Sequence, residues 1–284
     1  MKAKLLRITS ILMMLLMLFM VTGCSKPSDQ KDNEDAKVEE VTGDETGGED
    51  QNVEDDQDKE GEEDQEDEPD KTEDNGLDGI STEGGIKDVY QQIDFVAGTC
   101  LSEPMINNKD FQDVINENFN SITLENDMKP DAILDHQASV SKGEIVVTFP
   151  SRTVKLLNWA KDNGMKVRGH TLIWYSQTPD WIFYEDFNST KQVVDRETML
   201  ARMESFIKQT FEQIEELGFT DIFYAYDVVN EAILDDCSLR ECHWLDIIGD
   251  DYLWYSFYYA DKYAPDHVKL YYNDFNEQFK TRAI

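Results

Sequence analysis

The sequence predicts an α/β fold, a (β/α)8 TIM barrel truncated after about its fifth strand. Three observations carry that expectation. From residue 94 onward, short apolar runs alternate with longer amphipathic segments, the signature of a parallel sheet with crossover helices. Several of the strand candidates finish in carboxylates, amides or an indole, as when every strand empties into one shared mouth. No G-x-G-x-x-G or G-x-x-x-x-G-K-[ST] follows any of them, which argues against a doubly wound sheet with its ligand at a glycine-rich switch point.

Strands are expected over residues 95–100, 120–124, 166–174, 222–229 and 269–272. The clearest helix covers residues 196–217, where Met199, Leu200, Met203, Phe206, Ile207, Ile214 and Leu217 keep the spacing of three and four and Gly218 supplies the C-terminal cap. Another covers residues 251–263 and stops before Pro265. At the strand ends, Glu125 and Asn126 follow the second strand, His170 and Trp174 lie in the third, Asn230 and Glu231 follow the fourth, and Asn273-Asp274-Phe275-Asn276 follows the fifth. On a regular strand His170, Leu172 and Trp174 share parity, so their side chains are expected on one face. Cys100 on the first strand reads as a small core residue. Cys237 and Cys242 are close enough for a disulfide in an oxidising exterior, although five residues apart on a helix they would face each other poorly.

Charge divides the chain into three regions. The 284 residues hold 26 Lys+Arg against 60 Asp+Glu, a formal charge of −34, and so acidic a chain excludes a nucleic-acid partner. Residues 1–23 read as a lipoprotein signal peptide: Lys2, Lys4 and Arg7 precede an apolar run from Ile11 to Val21 that is too short to span a bilayer core of about 30 Å. Its end, Val21-Thr22-Gly23-Cys24, resembles the lipobox of bacterial lipoproteins, and that resemblance implies lipidation of Cys24, membrane anchoring and a secreted, cell-surface location. Residues 24–84 then form an acidic linker. From residue 25 to 84 it carries 26 acids and 5 Lys with almost no large apolar residue, so it is expected to be disordered. Such a chain spans about 40–45 Å before its own charge extends it. Residues 85–284, with 34 acids and 18 bases, are the foldable part.

No H-E-x-x-H, C-x-x-C or G-x-S-x-G occurs, so zinc hydrolysis, dithiol redox chemistry and a serine nucleophile elbow have no support. Carboxylates framed by amides and aromatics remain. That combination suits glycosidic bond cleavage, in which one carboxylic acid protonates the leaving oxygen, a second carboxylate engages the anomeric carbon and aromatic faces pack on sugar rings.

Four motifs resemble family 10 of the glycoside hydrolases, the endo-β-1,4-xylanases: Thr123-Leu-Glu-Asn-Asp-Met-Lys-Pro130; Arg168-Gly-His-Thr-Leu-Ile-Trp-Tyr-Ser-Gln-Thr-Pro-Asp-Trp181; Tyr226-Asp-Val-Val-Asn-Glu-Ala232; and Leu270-Tyr-Tyr-Asn-Asp-Phe-Asn276. The resemblance implies a retaining endo-β-1,4-xylanase that hydrolyses internal bonds of xylan by two-carboxylate double displacement, without metal or organic cofactor. It makes Glu231 the general acid/base and Asn230 the amide at the sugar 2-hydroxyl. Glu125, Asn126, Lys129, His170, Trp174 and Gln177 match positions that bind sugars on the non-reducing side. Taken singly, the same residues have plainer readings: Glu125 and Lys129 as an i, i+4 ion pair, His170 as a satisfied core histidine, Trp174 and Trp181 as core packing.

Two departures from the family pattern are Tyr175, where His is usual, and Phe275, where Tyr is usual. A third concerns the nucleophile, in the family a Glu after strand seven. The chain ends at Ile284, just past the fifth strand, and Glu277 does not match that motif, so the nucleophile-bearing part is expected to be absent. The alternative expectation is a truncated, non-catalytic surface protein that binds xylan or xylo-oligosaccharides.

Overall fold

A computed structural model of the chain describes residues 79–275. The signal segment, Cys24, most of the acidic linker and Asn276 lie outside the described residues. Five strands, β1 Gly98–Leu101, β2 Ser121–Leu124, β3 Lys166–Trp174, β4 Phe223–Asn230 and β5 Lys269–Asn273, form one sheet in the order β1-β2-β3-β4-β5. Every neighbouring pair is parallel. Strands that follow one another in sequence order build a barrel wall, whereas a doubly wound sheet reverses its order at a switch point.

The crossovers are helical, as parallel pairing requires. Helix α1 (Ile86–Gln91) precedes β1; α2 (Glu103–Ile106) and α3 (Lys109–Asn118) lead to β2; α4 (Pro130–Ile133), α5 (His136–Lys142) and α6 (Ser151–Asp162) lead to β3. Helix α7 (Arg196–Glu216) joins β3 to β4, and α8 (His243–Ile248) and α9 (Tyr252–Tyr263) join β4 to β5. Among the described residues no helix is long and apolar enough to cross a membrane.

Helix α7 shows how sequence sets its limits. The Asp195 carboxylate accepts from the Thr198 N–H at 2.8 Å and caps the start. At the far end Gly218 takes φ +74°, donates its N–H to Glu215, and lets buried Phe219 donate to Ile214. That 6→1 and 5→2 pattern closes the last carbonyls and is open to glycine because it lacks Cβ. Between the caps Met199, Met203, Phe206, Ile207, Phe211 and Ile214 are buried.

Strand parity sorts the sheet into two faces. Leu101, Ile122, Leu124, Val167 and Phe223 are at most 1% exposed and belong to the core shared with α6 and α7, each such burial contributing about 1.5–3 kcal/mol. Tyr226 belongs to the same layer: it stacks on Phe223, meets Phe211 edge-on and lies against Gly169, where an added Cβ would fall 2.3 Å from its ring carbons. The same alternation corrects the expectation for Cys100. Leu101 takes the core side, so Cys100, one residue earlier, faces away from the core and is exposed.

Three further expectations change in detail. The first strand begins at Gly98, because Phe95 and Val96 have no ladder partner among the described residues and stand exposed. The shared parity of His170, Leu172 and Trp174 fails at Leu172. Between His170 and Ile173 three residue steps of β3 oppose the two from Asp227 to Val229 on β4, and this irregularity turns Leu172 into the core, where it is 0% exposed. Residues 237 and 242 do not share a helix: Ile233 bridges Leu239, the Cys237 N–H donates to Leu234, and Cys242 caps α8. The two cysteines are not bonded to each other.

Candidate active site

The carboxyl ends of β2, β3, β4 and β5 bring the polar clusters together. Glu231 follows the last residue of β4 with φ +54°, a conformation that costs a non-glycine residue of order 1–3 kcal/mol and needs support from its surroundings. Two backbone contacts supply it. The Glu231 N–H donates to the Asn273 carbonyl at 2.9 Å on β5, and Arg240 Nε donates to the Glu231 carbonyl at 2.8 Å. The bend turns the carboxylate toward the mouth, where it accepts from the Trp174 indole N–H at 3.2 Å.

Asn230 is 2% exposed, and its amide sits between Asn273 and Trp174. It lies 2.7 Å from the Asn273 amide and, with its oxygen turned to the indole, 3.1 Å from Trp174 Nε1. The orientation is assigned from the hydrogen-bond network. Trp174 is itself pinned from behind, since Trp244 Nε1 donates to its carbonyl at 3.2 Å.

A buried carboxylate organises the floor. Asp227, one of the few buried charged residues, accepts from Arg168 Nε at 2.8 Å, from Arg168 Nη2 at 2.5 Å and contacts His170 Nδ1 at 2.9 Å. Burial alone would lower the Arg168 pKa, but the hydrogen bonds and charge of Asp227 outweigh it and hold the guanidinium above its ordinary value. His170 is thereby oriented by a charged partner, as functional histidines commonly are, with its ring 6.3 Å from that of Trp174.

On the β2 side, Lys129 reaches across the same mouth. Its Nζ donates to Asn126 Oδ1 at 2.8 Å and lies 5.1 Å from the Trp174 ring centre. Burial lowers its pKa, opposed by the charges of Asp131, Glu125 and Glu231. The i, i+4 ion-pair reading for Glu125 and Lys129 does not hold, because α4 begins only at Pro130 and Lys129 is its N-terminal flank. Glu125 is exposed at the end of β2. Gln177 is exposed too, and its carbonyl accepts from the Asp131 N–H at 2.9 Å, which ties the loop after β3 to the start of α4. Trp181 is half-buried and stacks on His136 at 4.7 Å.

Tyr175 stands edge-on to Trp174, with the Arg240 guanidinium 4.4 Å from its ring centre. Burial and then the charge of Glu231 raise its pKa. Arg168, Asp227 and Arg240 were not among the residues picked out from sequence, whereas Asn273 was expected in the strand-end cluster. Arg168 and Asp227 lie inside the quoted motifs, and strand parity between Arg168 and His170 was a signal that could have found the first. Among the described residues no group of three His, Cys, Asp or Glu side chains is placed to hold a metal ion.

Sequential parallel strands here gather a carboxylate, amides and an indole at one mouth, the kinds of group that glycosidic bond cleavage uses. The chain belongs to glycosyl hydrolase family 10, whose model matches residues 85–283. It is 40% identical over 207 residues to endo-1,4-beta-xylanase Y of Acetivibrio thermocellus, covering 68% of this chain and 19% of that protein. Endo-1,4-beta-xylanase B of Butyrivibrio fibrisolvens is 38% identical over 194 residues, covering 67% of this chain and 30% of that protein. Among solved structures, a xylanase of Clostridium thermocellum with xylohexaose bound aligns with TM-score 0.62 at 39% identity, over 66% of this chain and 39% of that one. An endo-1,4-beta-xylanase from Caldicellulosiruptor owensensis aligns with TM-score 0.59 at 33% identity, over 70% of this chain and 55% of that one. The chain therefore spans 19% and 30% of these two curated relatives and 39% and 55% of these two solved neighbours.

Proposed function

We propose that this chain carries the acid/base and glycone-binding part of a retaining endo-β-1,4-xylanase acting on internal bonds of xylan, with Glu231 as general acid/base. The observation that carries the proposal is the placement of Glu231: a carboxylate at the end of β4, held in a strained backbone by β5 and Arg240, hydrogen-bonded to an indole and flanked by a buried amide. In double displacement such an acid gives its proton to the leaving glycosidic oxygen, then takes one from the water that hydrolyses the glycosyl-enzyme. Asn230 would meet the sugar 2-hydroxyl, while Glu125, Asn126, Lys129, His170, Trp174 and Gln177 would hold sugars on the non-reducing side. The attacking carboxylate of the reaction has no match among the described residues.

Reducing-sugar release from xylan tests the role: the chain alone, without a match for the attacking carboxylate, is expected to show little or none, so turnover is compared with Glu231 and with Glu231→Gln in the chain joined to the C-terminal part of a family 10 xylanase barrel. A fall of about 10²–10⁴ on substitution supports it. Turnover that the substitution leaves unchanged refutes it, and binding of xylan without turnover in either protein identifies a xylan-binding surface protein instead.

The same proposal places the protein at the cell surface, anchored through lipidated Cys24 and lifted by the acidic residues that follow. The support is Val21-Thr22-Gly23-Cys24 after an apolar run. Two or more acyl chains, at about 0.8 kcal/mol per buried CH₂, hold a protein stably where one does not. Globomycin treatment of intact cells should accumulate the larger precursor, and an unchanged precursor size would overturn the anchor.

A further inference from the structure

Tyr175 departs from the family pattern, follows β3 directly and stands against Glu231. The backbone entering it is fixed, because the Trp174 carbonyl accepts from Trp244 Nε1 at 3.2 Å and from Thr178 Oγ1 at 2.7 Å. Its ring meets two side chains that also hold Glu231. One is the Trp174 indole, 5.9 Å away between ring centres and inclined by 80°, which donates its N–H to Glu231 Oε2 at 3.2 Å. The other is Arg240, whose guanidinium sits 4.4 Å from the Tyr175 ring centre while its Nε donates to the Glu231 carbonyl at 2.8 Å.

The phenol adds a contact of its own. Its hydroxyl hydrogen-bonds the Glu231 carboxylate, and burial followed by that charge raises the phenol pKa, so Tyr175 keeps a proton to donate. On the core side, Trp174, Tyr175, Asn230, Glu231 and Arg240 share the lining of a cavity of about 10 Å³, room for about one water. Side chains rather than bulk solvent therefore meet the carboxylate there, and a hydrogen bond in such surroundings is worth more than one in water.

A donor in this place favours one chemical step. As Glu231 passes its proton to the glycosidic oxygen, the bond from the anomeric carbon to that oxygen breaks with its electron pair on the leaving oxygen, and Glu231 is left as a carboxylate. A hydroxyl already aimed at Glu231 stabilises that charge as it forms and gives up no proton itself.

We infer, on the proposed role of Glu231 as acid/base, that Tyr175 is a positioning residue: its hydroxyl, held in place by Trp174 and Arg240, fixes the Glu231 carboxyl group for proton delivery to the leaving sugar and stabilises the charge that delivery leaves behind.

Tyr175→Phe removes the hydroxyl and keeps the ring, and at a residue 43% exposed it leaves the fold intact. In ¹⁵N spectra of the full chain the Trp174 indole N–H reports on the carboxylate to which it donates. Tyr175→Phe should displace that signal in the parent and leave it in place once Glu231→Ala has been made, because the effect passes through the carboxylate. An unmoved signal in the parent, or the same displacement in both backgrounds, overturns the positioning role. Turnover is read in the chain joined to the C-terminal part of a family 10 xylanase barrel. There Tyr175→Phe should lower kcat on xylan about tenfold, the worth of one hydrogen bond to a charged group, with KM unchanged, and should spare an aryl xylobioside whose leaving group departs without a proton. Equal losses on both substrates, or none on xylan, overturn it. If Glu231→Gln leaves turnover unchanged, the proposed function falls and proton delivery with it, whereas the coupled displacement still upholds the hold of Tyr175 on Glu231.

Discussion

Replacement of Asp227 is the sharpest structural test of the site's floor. The side chain is 3% exposed and holds Arg168 through two hydrogen bonds and His170 through a third. Asp227→Ala leaves the guanidinium with Asn273 Oδ1 at 3.4 Å and the Tyr271 ring at 5.2 Å as its remaining partners. Breaking a fully buried pair costs about 3–5 kcal/mol, but Arg168 is 33% exposed and water recovers part of that, so a loss of about 3 kcal/mol is expected. For a domain of this size each kcal/mol lowers Tm by about 2–4 °C, which puts the shift near 6–12 °C. Asp227→Asn keeps an acceptor and should lose about half as much. Urea and thermal unfolding measure both, and a His170 ring resonance that broadens or moves in Asp227→Ala reports its release. A Tm shift below about 2 °C for Asp227→Ala would refute the assignment of Asp227 as the charge that organises Arg168 and His170.

Three other substitutions or conditions follow from packing and charge. Gly169→Ala places a Cβ 2.3 Å from the ring of fully buried Tyr226 and should cost about 1–3 kcal/mol in unfolding free energy. Tyr226→Phe should instead stabilise by about 1 kcal/mol, because the buried hydroxyl has no hydrogen-bond partner among the described residues. In acid, Glu204 is held below its ordinary carboxylate pKa of 4.5 by the Lys262 and Tyr263 hydrogen bonds, so its contribution is full above that value and is lost as pH falls through the folded pKa. Tm against pH should therefore drop below about 4.5, less steeply in Glu204→Gln.

Much of the fold was legible because parallel sheets advertise themselves. Largely apolar runs such as 223–229, broken by Asp227, and the long three-and-four repeat of 196–217 leave few alternatives, and the strand-end clusters pointed to one mouth. What escaped was local. The irregularity in β3 that buries Leu172 has no signature in parity, since it arises from pairing with β4. Cys100 was misplaced because β1 has a single ladder among the described residues, and only its register with β2 says which neighbour is inward. In the site, Glu231, Asn230, Lys129, His170 and Trp174 converge, but the supports that hold them are long-range. Arg240 reaches back to the Glu231 carbonyl and Asp227 reaches across to β3, contacts that only the folded chain reveals.

The most direct measurement is a titration of the chain with xylotriose, followed through the Trp174 indole N–H and the His170 ring in ¹⁵N spectra. Trp174 stands where Lys129, Asn230 and Glu231 meet, so sugar bound on the non-reducing side must change its hydrogen bond. Both signals should shift together and saturate with one affinity, and Lys129→Ala should weaken binding by about tenfold, the worth of one charge-assisted hydrogen bond. Saturating shifts that leave Trp174 and His170 unmoved, or binding indifferent to Lys129→Ala, would contradict the account.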